Sequence, residues 1–248
     1  MNINKVRKLN GNILKILAAI FMVIDHVGLM FFPYSIGFRI VGRLAFPIFA
    51  FMISEGARYT KNKPKYLITI SLLALICQLV YFFFANSLYM CILVTFSLSI
   101  IVIYSLSYFK KCLFSEEAKT WEKLFSGALF LFTVFAVAVL NRLFEIDYGF
   151  LGCMAPAFAS LFDFRGIDVP KSVAKTDNLY VRVASFGVGI LLLAISSGGI
   201  QFYSLLSLIL LLLYSGERGK AKMKYFFYLF YPLHLVALTA VQIIISII

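Results

Sequence analysis

The chain has 248 residues, of which 62% are hydrophobic and 14% charged, and its mean hydropathy is +0.95. Ordinary globular proteins run at roughly 45–50% and 25%, so a soluble fold is excluded: much of this Leu, Ile and Phe must face lipid. The net charge of +12, from 23 Lys and Arg against 11 Asp and Glu, would in a soluble protein indicate nucleic acid. In a polytopic membrane protein it is first a topology signal.

A helix that crosses a bilayer needs about 20 mostly apolar residues. Apolar runs between charged or Gly/Pro-rich breaks fall at 13–32, 37–57, 66–85, 88–109, 124–141, 148–163, 181–197, 200–214 and 225–247. These runs predict an all-α polytopic bundle of about nine spans, forming a single transmembrane domain over residues 1–248. The sixth and eighth are short enough to be half-helices or tilted spans.

Basic residues alternate strictly along these runs. With the N-terminus inside, the inner segments hold Lys5, Arg7, Lys8 and Lys15; then Arg58, Lys61, Lys63 and Lys65; then Lys110, Lys111, Lys119 and Lys123; then Arg165, Lys171, Lys175 and Arg182; and last Arg218, Lys220, Lys222 and Lys224. That is 20 of the 23 basic residues, leaving Arg39, Arg43 and Arg142 for the membrane or the far side. The reading is N-in and C-out, with outside turns near 33–36, 86–87, 142–147 and 198–199. No nucleic-acid partner is needed to explain the charge. Cys77, Cys91, Cys112 and Cys153 show no C-x-x-C spacing, so neither a disulfide framework nor a metal site is indicated. No small-residue cleavage site follows residues 1–32, and no phosphate-binding glycine motif occurs, which places any chemistry within the membrane.

Ionisable groups inside a span cost at least about 2.5–3.5 kcal/mol at its centre, so each is a functional candidate by default. The first run carries Asp25 and His26, adjacent and therefore about 100° apart on a helix. They are either glue between helices or a base with its charge partner. The second run reads Arg39-Ile-Val-Gly-Arg-Leu-Ala-Phe-Pro, where Arg43 reaches the depth of His26. Pro47 is expected to kink the helix there, and Gly42 and Ala45 to allow close packing. Arg43 either pairs with Asp25 or holds a phosphate, a carboxylate or a developing oxyanion. Glu55 and Arg58, spaced i, i+3, fit an ordinary interfacial ion pair. Asp147 fits an N-cap or an outside turn, and Tyr148 an aromatic belt. In the last run His234 reaches mid-membrane beside Pro232. A cavity lined by such groups suits acyl transfer, a base deprotonating an amine or hydroxyl that attacks a thioester. A proton-coupled transporter using Asp25, His26 and His234, or a non-catalytic assembly factor for a surface apparatus, are the other readings.

The blocks Met22-Val-Ile-Asp-His, Gly42-Arg-Leu-Ala-Phe-Pro-Ile-Phe, Asp147-Tyr-Gly-Phe-Leu-Gly and Phe230-Tyr-Pro-Leu-His-Leu, in that order, resemble the TraX family over residues 12–240. Its founding member is a conjugation protein that acetylates the N-terminus of pilin. More distantly, the chain is similar to multipass transmembrane acyltransferases. The resemblance implies a bacterial cytoplasmic-membrane acetyltransferase that uses cytoplasmic acetyl-CoA as donor and no metal. The acceptor would be a pilin-like peptide, a glycan or another surface molecule. His26 would be the base or acyl-relay residue, Asp25 its partner and Arg43 a ligand for the donor or oxyanion, with Tyr148, Tyr231 and His234 lining the same cavity.

Overall fold

The computed structural model describes residues 9–85, 87–221 and 223–247. Lys5, Arg7, Lys8 and Lys222 of the basic groups, and residue 86 of the second outside turn, lie outside the described residues. Among the described residues the secondary structure is helical, with isolated bridges and no strand. The helices are α1 (Gly11–Phe31), α2 (Ile36–Gly42), α3 (Ala45–Tyr59), α4 (Lys63–Ala85), α5 (Ile92–Phe114) and α6 (Thr120–Leu143). After them come α7 (Gly149–Ser160), α8 (Lys171–Ala174), α9 (Leu179–Ser197), a 3-10 helix (Gly199–Leu206), α10 (Ser207–Leu212) and α11 (Lys224–Ile247).

Each predicted run is thus matched by a helical segment, but the segments differ in reach. Among the described residues six are long and apolar enough to cross a membrane: Gly11–Phe31, Ile36–Tyr59, Lys63–Phe83, Ile92–Phe114, Thr120–Leu143 and Leu179–Ser197. The other three, Gly149–Ser160, Gly199–Leu212 and Leu229–Ile245, are shorter apolar helices. At 1.5 Å per residue the 12 residues of α7 rise only about 18 Å, against a hydrocarbon core of about 30 Å. These six make the chain a membrane protein in character.

Two compact units divide the chain, residues 1–52 with 194–248, and residues 53–193. In the first, α1 packs closely against α2 and also meets α11, while α2 packs on the 3-10 helix. Leu14, Ala18, Phe51 and Leu211 are fully buried there, with Phe51 edge-on to Tyr214. Asn10 caps α1 by accepting from the backbone N–H groups of Asn12 and Ile13. The Gly11 N–H donates to the carbonyl of Glu217, and the Asn12 N–H is shared between Asn10 and the carbonyl of Arg218.

In the second unit α5 is central, packing against α4, α6 and α7. Short α7 is almost wholly buried, which its small residues Gly152, Cys153, Ala155, Ala157 and Ala159 allow. A buried helix end must find partners for its last carbonyls. Here Ser185 Oγ donates to Phe158 O at 2.7 Å, Arg182 Nε to Ala159 O at 3.3 Å, and Lys110 Nζ to Ser160 O and Leu161 O at 2.7 and 3.2 Å. Lys110 also reaches Asp163 O at 2.5 Å. The cations are therefore caps, placed where the helix dipole favours positive charge.

The sequence paired Glu55 with Arg58, and the structure corrects this. Glu55 receives Arg182, both almost fully buried, while Arg58 bonds Asp163 at 2.7 Å and Asp177 at 2.6 Å. An i, i+3 pair on one helix would leave the incoming 161–178 segment unheld; the long-range pairs hold it. Arg58, Lys110 and Arg182 come from three of the basic groups that the sequence assigned to one side, and they meet at one end of this unit. The segment before α5 also meets the one after α6: Met90 N donates to Glu145 O at 2.8 Å and Asp147 N to Met90 O at 3.0 Å.

Breaking a buried ion pair by removing one partner costs about 3–5 kcal/mol, whereas apolar replacement of both is close to neutral. Glu55→Leu and Arg182→Met are each expected to lower the thermal unfolding midpoint in detergent by many degrees. The double variant is expected to recover most of the loss; an additive double loss contradicts the pairing.

Candidate functional site

The site in the first unit begins with how closely α1 and α2 approach. A Cβ at Gly28 would overlap that of Phe38, and one at Gly42 would overlap the Asp25 carboxylate. Only glycine at these two positions lets the helices come this near. The sequence reading of Gly42 as a close-packing position holds.

That approach brings Asp25 to Arg39, whose Nη1 lies 2.9 Å from Oδ2. The pair weighed from sequence, Asp25 with Arg43, is replaced by one a helical turn nearer the N-terminus of α2. The side chains are 19% and 24% exposed, and the other carboxylate oxygen, Oδ1, is buried without a hydrogen-bond partner. Half of the carboxylate is thus held and half is open.

His26 does not use Asp25. Its Nδ1 lies 2.8 Å from the carbonyl of Met22, one turn back on α1. A carbonyl only accepts, so Nδ1 carries the proton and Nε2 keeps its lone pair. His234 repeats the arrangement on α11, with Nδ1 3.0 Å from Phe230 O and Nε2 buried without a partner. The two rings meet edge to face at a centroid distance of 5.1 Å. Phe230 stacks on His234 at 5.3 Å and Tyr231 packs edge-on at 5.5 Å. Residues 208 positions apart in the chain thus converge as two imidazoles, each with the basic nitrogen free of the backbone.

Arg43 lies in the short break between α2 and α3. Pro47 was expected to kink a continuous helix; instead α2 ends at Gly42, and Pro47 falls in the first turn of α3, where its missing N–H costs no hydrogen bond. Its ring disfavours continuation from the preceding turn, so the break falls at Arg43 and Leu44. Arg43 Nε is buried and unpartnered.

Two further groups escaped the sequence reading. Gln201 and Ser204, on the 3-10 helix that packs against α2, are 4% and 0% exposed, and Gln201 Nε2 and Ser204 Oγ have no hydrogen-bond partner. Their signal was present: Gln201 and Ser204 are two polar residues three apart in an otherwise apolar stretch, a spacing that stacks them on one face of a 3-10 helix.

Tyr148 belongs to the second unit. It is the N-cap residue of α7 and holds φ of +59°, a left-handed conformation costly for a non-glycine residue. Gly152 makes room for it, since a Cβ there would overlap the Cβ of Tyr148. Asp147 is not the cap. Its carboxylate accepts the Tyr89 hydroxyl at 2.7 Å and its carbonyl accepts Thr95 Oγ1 at 2.7 Å. Loss of water around the Tyr89 phenol, together with the Asp147 carboxylate, pushes its ionisation well above the ordinary range. No group of three or more metal-ligating side chains occurs among the described residues.

Overpacking a tight helix contact costs typically 1–3 kcal/mol. Gly42→Ala is expected to destabilise the protein by about that amount and to displace Asp25 from Arg39. Asp25→Ala in the Gly42→Ala background should relieve most of the loss, as read by thermal unfolding; equal midpoints for wild type and Gly42→Ala would contradict the contact.

Comparison with known proteins places the chain. The family model described as "TraX protein" matches residues 10–242. The "Uncharacterized protein RP591" of Rickettsia prowazekii (strain Madrid E) is 42% identical over 57 residues, so the match spans 23% of this chain and 23% of that protein. No solved structure matches. With nearly its whole length covered by the family model, the chain belongs to the TraX family.

Proposed function

We propose that this protein is an integral membrane acyltransferase that moves an acetyl group from acetyl-CoA to an amine or hydroxyl of a membrane-associated or extracytoplasmic acceptor. We place it in the bacterial cytoplasmic membrane with the N-terminus inside, in keeping with the basic inner segments. The observation that carries the proposal is the contact of His26 Nδ1 with Met22 O, which in the neutral ring puts the lone pair on Nε2.

The chemistry follows from that lone pair. His26 Nε2 takes a proton from the acceptor as its nitrogen or oxygen attacks the thioester carbonyl. The new C–N or C–O bond forms, and the carbonyl oxygen carries negative charge in the tetrahedral intermediate. Arg43 supplies an N–H to that oxygen from Nε, which has no competing partner within the protein. Collapse breaks the C–S bond, and the proton on His26 passes to the departing thiolate, giving CoA and the acetylated acceptor. Asp25 acts by position: tied to Arg39, it fixes α1 against α2 and so sets where His26 points. His234 packs its ring against His26 and limits its rotation.

General base catalysis contributes typically 10²–10⁴-fold. In native membranes supplied with radiolabelled acetyl-CoA, His26→Ala is expected to lose about 100-fold or more of acetyl transfer at unchanged protein level. Arg39→Met is expected to lose less, because it removes a positioning contact only. Equal transfer by wild type and His26→Ala removes His26 from the reaction. A flux of protons or solute without any acyl-CoA requirement would favour transport instead.

A further inference from the structure

We infer that Gln201 and Ser204 form a binding strip for the pantetheine arm of the acyl donor, an inference that rests on the acetyl-CoA reading above. Polar side chains on apolar helices ordinarily bond to their own backbone. Ser97, Ser99, Ser105, Ser126, Ser160 and Ser207 all do so, each donating to a carbonyl three or four residues back. Ser204 Oγ does not, although it is fully buried, and Gln201 Nε2 joins it. In hydrocarbon surroundings two such groups are costly unless a ligand completes them.

The geometry of the segment sorts polar from apolar. In a 3-10 helix residues i and i+3 eclipse each other, so Gln201 and Ser204 stand one above the other, about 6 Å apart along the axis. Phe202, Tyr203 and Leu206, between and beyond them, are 44%, 44% and 48% exposed. The polar pair therefore faces the interior of the first unit. Its helix packs on α2, which carries Arg39 and leads into Arg43.

The chemistry then selects the ligand. The open groups are an amide NH₂ and a hydroxyl, both donors, with no charge. They fit neutral carbonyl oxygens separated by a few bonds. The pantetheine arm carries two secondary amides joined through two methylenes and ends at the thioester. It is the uncharged part of CoA, the part that can enter an apolar bundle while the phosphates stay in water.

Calorimetric titration of the full-length protein in detergent tests this, with acetyl-CoA, S-acetylpantetheine and the adenosine bisphosphate half of CoA as probes. A lost hydrogen bond to a neutral group weakens binding by up to about 10-fold. Gln201→Met with Ser204→Ala is expected to weaken both acyl probes by about 100-fold and leave the nucleotide half unchanged. The same variant should unfold at the wild-type temperature or above it, since neither group has a partner to lose. Unchanged acyl-probe affinity in the variant overturns the strip but leaves the donor assignment standing. A lowered unfolding temperature with equal loss for all three probes also overturns it, by showing a structural role. Absence of acetyl-CoA binding by the wild type overturns both.

Discussion

A polar atom buried in hydrocarbon must be paired, and the fold is arranged around that constraint. In the second unit long-range bonds meet most of the constraint, with Arg58 Nε and Asn141 Oδ1 left buried without a partner. The last carbonyls of α7 are taken by Ser185, Arg182 and Lys110, and the charges left over are balanced by Glu55, Asp163 and Asp177. Such a network fixes a short helix inside a bundle and has its principal donors already engaged. Buried Glu55, Lys110 and Arg182, with half-buried Arg58, Asp163 and Asp177, are there to end one helix and hold the segment that follows it.

The first unit satisfies the constraint only in part. Asp25 Oδ1, Arg43 Nε, Gln201 Nε2, Ser204 Oγ and His234 Nε2 are all buried and open. Three of the five belong to or adjoin a group that is held: Asp25 by Arg39, His234 by Phe230 O, and Ser204 beside Ser207, which is bonded. Held residues with open atoms are what a preorganised site requires, because the side chain is placed while its reactive or binding atom remains available. The breaks in regular structure fall in the same unit. Arg43 occupies the gap between α2 and α3, and Gln201 and Ser204 lie on 3-10 backbone. Irregular backbone at membrane depth is tolerated where it is enclosed by protein or lines a cavity.

How much of this could be read from the sequence depends on the kind of interaction. Apolar runs are set by composition over twenty residues, so each run has its helix, and the alternation of basic groups correctly associates Arg58, Lys110 and Arg182. The shortness of the sixth and eighth runs was legible as well; what the sequence did not show is that α7 is apolar because protein buries it. Individual pairings were not legible. Asp25 chose Arg39 over Arg43 because the glycine at 42 fixes the register of α1 on α2. Glu55 and Arg58, three apart on one helix, each found a partner more than 100 residues away. The Gln201–Ser204 strip was hidden by reading an apolar stretch at the α-helical period, whereas its backbone turns every three residues. His26 and His234 were singled out as buried bases; that they touch follows only from the packing of α11 on α1.

The central claim is that the open polar atoms of the first unit receive the acyl donor. Photoaffinity labelling tests it most directly, using a CoA thioester whose acyl group carries a diazirine, on the full-length protein in membranes, with adducts mapped by mass spectrometry. The account predicts labels on α1, on the α2–α3 break and on the 3-10 helix, all competed by excess acetyl-CoA. Labels confined to the second unit, or labels that acetyl-CoA fails to compete, would contradict it.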